Sequence, residues 1–242
     1  MTHVPVTRHS IFQTSLITAL AQGVYEDEMT LAELLGHGSF GIGTFNALDG
    51  EMVILDGACY RLRGDGTVTL PEIGEHTPYA VVTNFVPHIS YPVEQPLSRA
   101  EASTVIDGLL PSSNYMYALK ISGHFSWVST RTVEKQERPF RPLVQATDGE
   151  EIVRFEDFTG TVAGFRTPLF EQGISVAGCH VHAIDDERTR GGHLVDFAME
   201  SGRIEICLGT DLSLRLPLTP EFREADLDAQ DLQDDVRKAE HH

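Results

Sequence analysis

Gly178-Cys179-His180-Val181-His182-Ala183-Ile184-Asp185-Asp186 runs through the turn-rich Glu187-Arg188-Thr189-Arg190-Gly191-Gly192 into His193-Leu194-Val195-Asp196, and the whole reads as two antiparallel strands joined by a glycine-rich return. Side chains alternate along a strand, so His180 and His182 project from one face and Cys179 from the other. His193 opens the second strand beside them. Three neutral imidazoles converging from a hairpin make a divalent-metal site. With Cys179 turned to the opposite face, no fourth strong ligand is expected to join them, which leaves the coordination sphere open to substrate or water, as in catalytic rather than structural zinc sites. The other histidines (His3, His9, His37, His76, His88, His124, and His241 and His242 at the end) show no ligand spacing.

Working outward from this hairpin, further short apolar runs bounded by turn residues lie at 153–155, 160–166, 173–184, 193–199 and 204–208, and predict a mainly antiparallel sheet. Upstream, residues 115–121 and 125–133 read as two strands separated by a Ser122-Gly123 turn. Before them, strands are expected at 40–48 and 51–55 around an Asp49-Gly50 turn, at 59–62 and 67–70 around Asp65-Gly66, and at 79–86, where Pro87 ends the run. Helices are expected at 15–21, 30–35 and 99–110. Thr30 with Glu33, and Ser98 with Glu101, have capping-box spacing, and Pro111 closes the last helix. The acidic stretch 220–240 reads as partly helical. A polar, proline-punctuated segment at 133–142 suggests a boundary between subdomains 1–140 and 141–242. The expected architecture is α/β: an N-terminal mixed β-sheet with flanking helices, packed against a smaller C-terminal antiparallel sheet that carries the metal site, with the active site between them.

Composition narrows the function. A chain of 242 residues that is 41% hydrophobic can bury a substantial core. A formal net charge of -18 disfavours nucleic acid, whose phosphates demand a basic surface. An anionic small-molecule substrate would need a local positive trap, which a metal ion and a nearby arginine can supply. No apolar run approaches the ~20 residues that span a bilayer, so no membrane partner is expected, and the N-terminal residues lack the design of a secretory signal. Cys59, Cys179 and Cys207 are odd in number and lie in apolar strand contexts, which favours buried thiols in a reducing compartment, the cytoplasm.

Several separated motifs share one resemblance. Gly41-Ile42-Gly43-Thr44-Phe45-Asn46-Ala47-Leu48-Asp49-Gly50-Glu51, Thr130-Arg131-Thr132-Val133, Gly164-Phe165-Arg166-Thr167-Pro168 and Gly191-Gly192-His193-Leu194-Val195-Asp196 together resemble the bacterial α-acetolactate decarboxylases, in the family's order and spacing, from about Phe12 to Glu240. The resemblance implies a zinc ion held by His180, His182 and His193, a catalytic glutamate and arginine at Glu51 and Arg131, a substrate-binding threonine at Thr44, and a C-terminal glutamate, Glu240, that reaches back to the metal. The family's Gly-Tyr-His motif is here Gly178-Cys179-His180. Position 179 faces away from the metal, so this departure leaves ligation intact.

The implied reaction is decarboxylation of (S)-2-acetolactate to (R)-acetoin on the route to acetoin and butanediol, in a homodimer. Zinc would act as the Lewis acid for the ketone and hydroxyl oxygens and stabilise the enediolate left by CO₂. Arg131 would dock the carboxylate through its planar fork, and Glu51 would protonate the enediolate on one face. For that, Glu51 must hold a proton at working pH, so burial or a neighbouring carboxylate such as Glu240 is expected to raise its pKa.

Two other readings fit parts of the chain. His180-Val181-His182 with Glu187 reproduces the HxHx4E core of a cupin, a metal-dependent enzyme or small-molecule sensor, with Glu187 as a ligand. The cupin's preceding glycine is displaced by one residue, however, and its downstream PxGxxH segment is absent. Alternatively, the metal could be a structural clip on a binding module, for which a fourth protein ligand would be the mark.

Overall fold

A computed structural model describes residues 8–148, 150–228, 235–236 and 238–239 of the chain. Its first sheet is built from β1 (Ser10–Thr14), β2 (Phe40–Thr44), β3 (Glu51–Leu55), β4 (Ala58–Leu62), β5 (Val68–Thr69) and β6 (Tyr79–Thr83), with α1 (Ile17–Ala21) and α2 (Leu31–Leu35) between β1 and β2. The second contains β7 (Ile89–Val93), β8 (Leu97–Ser98), β9 (Met116–Arg131), β10 (Val153–Thr167), β11 (Gly178–Asp185) and β12 (Gly191–Gly209), interrupted by α3 (Arg99–Leu109) and α4 (Leu143–Ala146). The chain then returns through β13 (Asp211–Arg215), which joins the first sheet by pairing parallel to β1 while the other neighbours there run antiparallel. A short α5 (Pro220–Glu224) follows. The result is the expected pair of packed sheets, the first mixed, the second antiparallel, with strand order β13-β1-β6-β2-β3-β4-β5 in the first.

The sheets exchange strands across the polar stretch at 133–142. β7, β8 and β9 precede it yet belong to the second sheet, and β13 follows it yet edges the first. Arg131 therefore ends a strand of the sheet that carries the histidines, whereas Glu51 stands in the opposite one.

Where the glycines predict turns, the second sheet has continuous strands. Ser122-Gly123 does not reverse the chain, 153–167 is one strand, and β12 runs unbroken past Gly202. The reason lies in the register: Gly160, Gly123 and Gly202 fall side by side on three neighbouring strands. A Cβ at Gly123 would stand 2.1 Å from the Ser201 carbonyl oxygen, so the row exists to let backbones approach. In the first sheet the strand expected at 40–48 stops at Thr44. Asn46 is gripped through its side-chain amide by the Asp27 backbone, accepting from Asp27 N at 3.2 Å and donating to Asp27 O at 3.1 Å. Ala47 and Leu48 then take positive φ, turning the chain into β3.

Both capping boxes form as their spacing predicts, Thr30 with Glu33 and Ser98 with Glu101. Three apolar clusters hold the layers. Ile42, Val53 and Val81 of the first sheet meet Ala118, Phe165 and Ile184 of the second between the sheets. Met52, Ile54 and Val82 face outward under Leu31 and Leu34 of α2. β9, β10, β11 and β12 each pair with two of the others and close on themselves. Their enclosed side chains, among them Phe125, Phe158, Val181 and Phe197, pack against Ala102 and Ile106 of α3. Alternation along β11 thus sends Cys179, Val181 and Ala183 to this second core and leaves the even-numbered histidines facing the first sheet.

Candidate metal centre and active site

The β11–β12 return brings the imidazoles together because His182 pairs directly with His193 across the ladder. His193 in turn pairs with Arg131 on β9, so two of the histidines and the arginine form one transverse row over three strands. Ring centroids of His180, His182 and His193 lie 5.2 to 5.3 Å apart, and one ring nitrogen from each falls within 4.8 Å of the others. Among the described residues, these three form the group that could hold a metal ion.

The protonation pattern suits ligation. The Nδ1 of His182 lies 2.9 Å from the Met52 carbonyl oxygen, which can only accept, so Nδ1 carries the proton. Its Nε2 is consequently a lone pair, buried in the cluster and without a hydrogen-bond partner. A polar atom so placed is costly unless something binds it. Burial, then the charge of His180, pushes the His182 pKa down to about 3. Burial first, and then the neighbouring His180, His182 and Arg131, also hold His193 well below the usual imidazole range. Both rings are neutral near pH 7, the state in which an imidazole can ligate a metal.

The first sheet supplies the facing carboxylate. Glu51 opens β3, and its Oε2 stands 3.5 Å from the Nε2 of His182. The turn before it is pinned at several points: Arg63 Nη1 donates to Asp49 Oδ1 at 2.9 Å, and Arg61 lies 3.5 Å from Asp49 Oδ2. Thr44, paired with Glu51 in register, donates its hydroxyl to the Gly50 carbonyl at 2.9 Å. Thr44 lines the same cavity as Glu51, Arg131, His180 and His193, with Ile17, Leu20, Leu143 and Ala239 as apolar wall. Arg131 is buried, pairs through Nε with Glu150 Oε2 at 3.4 Å, and donates from Nη2 to the Ala239 carbonyl oxygen.

Of the residues expected from the sequence, His180, His193, Glu51, Arg131 and Thr44 line one cavity between the sheets, and His182 is buried beside them next to Glu51. Glu240 lies outside the described residues, as do His241 and His242. Glu187, the extra ligand a cupin would use, is exposed in the turn after β11 and is not part of the cluster. Cys179 lines the groove beneath α3 on the far side of its strand, and burial raises its thiol to about 11. All three cysteines are free.

Two participants went unnoticed in the sequence. Glu150 carries no motif that would mark it. Asp185 does: an aspartate entering a turn is a local backbone acceptor. Almost fully buried, it accepts from Thr189 N at 2.7 Å, Arg190 N at 3.1 Å, Thr189 Oγ1 at 2.9 Å and Arg190 Nε at 3.0 Å. Burial raises its carboxyl, but those hydrogen bonds together hold it below the ordinary range. This knot sets the return that delivers His193. Asp185→Ala is expected to cost about 2–4 kcal/mol, read by urea denaturation, and to weaken metal affinity. An unchanged midpoint would show that the loop holds itself.

Such a cluster, imidazoles facing a carboxylate and a guanidinium in a cavity between two sheets, defines the candidate metal centre of an enzyme. Comparison with known proteins agrees. The family described as alpha-acetolactate decarboxylase matches residues 11–229. The alpha-acetolactate decarboxylase of Bacillus subtilis strain 168 is 41% identical over 230 residues, covering 95% of this chain and 90% of that protein. That of Klebsiella aerogenes is 43% identical, covering 95% and 88%. The crystal structure of the Bacillus subtilis strain 168 protein superposes with a TM-score of 0.94, covering 96% of this chain and 100% of that one. The chain belongs to the alpha-acetolactate decarboxylase family of carboxy-lyases. No helix among the described residues is long and apolar enough to cross a membrane.

Proposed function

We propose that the chain converts (S)-2-acetolactate to (R)-acetoin and CO₂ at a zinc ion held by His180, His182 and His193. The observation that carries this reading is the buried Nε2 of His182, which lacks a hydrogen bond and lies in a cluster of imidazoles that faces Glu51. A bound divalent ion supplies a Lewis acid for the ketone and hydroxyl oxygens of the substrate.

The chain's own residues do the rest. Arg131, buried in the cavity wall, docks the carboxylate and sets the scissile carbon–carbon bond across the plane of the ketone, so that its electron pair can flow into the carbonyl as CO₂ departs. The carbon that bore the carboxylate then needs a proton. Glu51, on the opposite sheet from Arg131, delivers it from a single direction and so determines the hand of the product. Thr44 holds the Gly50 carbonyl that precedes Glu51 and presents its own side chain to the cavity, where it serves substrate binding. Glu240, which lies outside the described residues, is the second carboxylate assigned to the site. Ile17, Leu20 and Leu143 keep the cavity wall apolar, which strengthens every charge interaction inside it. We place the enzyme in the cytoplasm as a homodimer, on the reducing-compartment argument from the free cysteines and the family resemblance.

Incubating the protein with racemic acetolactate, with and without a chelator, tests the reading. Acetoin and CO₂ are expected in equal amounts, falling to background after chelation while the far-ultraviolet circular dichroism is retained. Turnover undiminished in metal-free protein would remove the ion from the mechanism. Collapse of the fold on chelation would point instead to a structural clip.

A further inference from the structure

Glu150 is a buried carboxylate that the scheme above does not use. Its side chain is 9% exposed, as is that of Arg131, with which it pairs at 3.4 Å. It lines the same cavity as Arg131, Glu51, His180 and His193. It is also held in place from behind: Leu143 and Ala146 of α4 are anchored in the core between the sheets, and Glu150 N donates to the Thr147 carbonyl oxygen at 3.4 Å.

This pair meets an unusual demand. A guanidinium buried alone is costly, and a partner carboxylate offsets much of that cost. In a decarboxylase, however, the anion that Arg131 docks must leave as neutral CO₂. Charge moves off the carboxylate and away from the arginine as the bond breaks. Any excess attraction for the bound carboxylate stabilises the ground state more than the transition state and so raises the barrier. Sharing Arg131 with Glu150 moderates that attraction. The hydrogen bond from Nη2 to the Ala239 carbonyl holds one arm of the guanidinium while the ion pair keeps Glu150 beside Nε, leaving further N–H groups of the fork to orient the substrate.

We propose that Glu150 is a positioning residue that keeps Arg131 partly neutralised, so that the substrate carboxylate is held in register without being over-stabilised before CO₂ leaves. The inference rests on the docking role proposed for Arg131.

The test uses the metal-loaded full chain and three variants. For Glu150→Gln, KM for acetolactate and kcat are both expected to fall, each by about tenfold, with kcat/KM nearly unchanged, the pattern of relieved ground-state strain. 2-Hydroxy-2-methylpropanoate, an α-hydroxy acid with no ketone to accept electrons, is expected to inhibit about tenfold more tightly, in line with removal of a close like charge. Inhibition by neutral acetoin should not change. Glu150→Asp, which keeps the charge but draws it back by one methylene, is expected to shift both constants in the same direction by a smaller factor, and it carries the test if the glutamine variant does not fold. A higher or unchanged KM with reduced kcat would show that Glu150 only scaffolds the loop and would overturn the proposal. Arg131→Ala separates the two layers of reasoning. If the hydroxy acid binds that variant as well as the parent, the docking role itself fails. If it binds far more weakly, yet Glu150→Gln shows no tightening, only the moderating role fails.

Discussion

Alanine at position 182 is expected to abolish metal retention and reduce acetoin formation by roughly a thousandfold or more, about 4 kcal/mol of transition-state stabilisation. His182 is fully buried at the centre of the constellation, bonded on one side to the Met52 carbonyl and turned on the other toward His180, His193 and Glu51. No neighbouring side chain can replace its Nε2, because the two adjacent strand positions, Val181 and Ala183, point into the opposite core. The variant should still fold. It loses one imidazole together with its hydrogen bond to the Met52 carbonyl, for about 1–3 kcal/mol, against a core that spans both sheets. Metal content by mass spectrometry and kcat by acetoin assay check the outcome together. A variant that keeps a full equivalent of metal and near-parental turnover would falsify the ligand assignment.

Glu51→Gln is expected to lower turnover by about 10²–10⁴-fold and, more tellingly, to release acetoin of reduced enantiomeric purity. Glutamine preserves the shape of the side chain and its place opposite His182, but an amide is no proton donor of comparable strength. Protonation then falls to water, which can reach either face of the planar intermediate. Metal content should change little, since the three imidazoles and the Met52 carbonyl that orients His182 all remain, although Glu51 stands beside the cluster. Chiral chromatography of the product decides the matter. A single enantiomer at the parental rate would take the proton-delivery role away from Glu51.

Both variants probe residues legible in the sequence, for different reasons. The histidines were legible from spacing: alternation along a strand puts 180 and 182 on one face, and a glycine-rich return places 193 beside them. Glu51, Arg131 and Thr44 look like ordinary strand residues in isolation and were marked by resemblance alone. Glu150 was invisible, because its place beside Arg131 depends on α4 and the adjoining loop folding back onto the end of β9, more than a dozen residues upstream. The turns inferred at Ser122-Gly123 and near Gly202 failed for a related reason. A glycine that permits a turn and a glycine that permits close packing of neighbouring strands have the same local signature, and only the register of Gly160, Gly123 and Gly202 distinguishes them.

By itself, then, the sequence determined which histidines share one face of a hairpin, the capped helices and the two-sheet character of the chain, because periodicity, capping spacing and turn chemistry are local and act within a few residues. The tertiary structure decided which strands share a sheet, how β13 crosses back to β1, and that Glu51 and Arg131 approach the imidazoles from opposite walls of one cavity. Those outcomes depend on burial and ladder pairing between segments separated by up to some two hundred residues, as Ser10 is from Asp211, and no local pattern encodes such a choice.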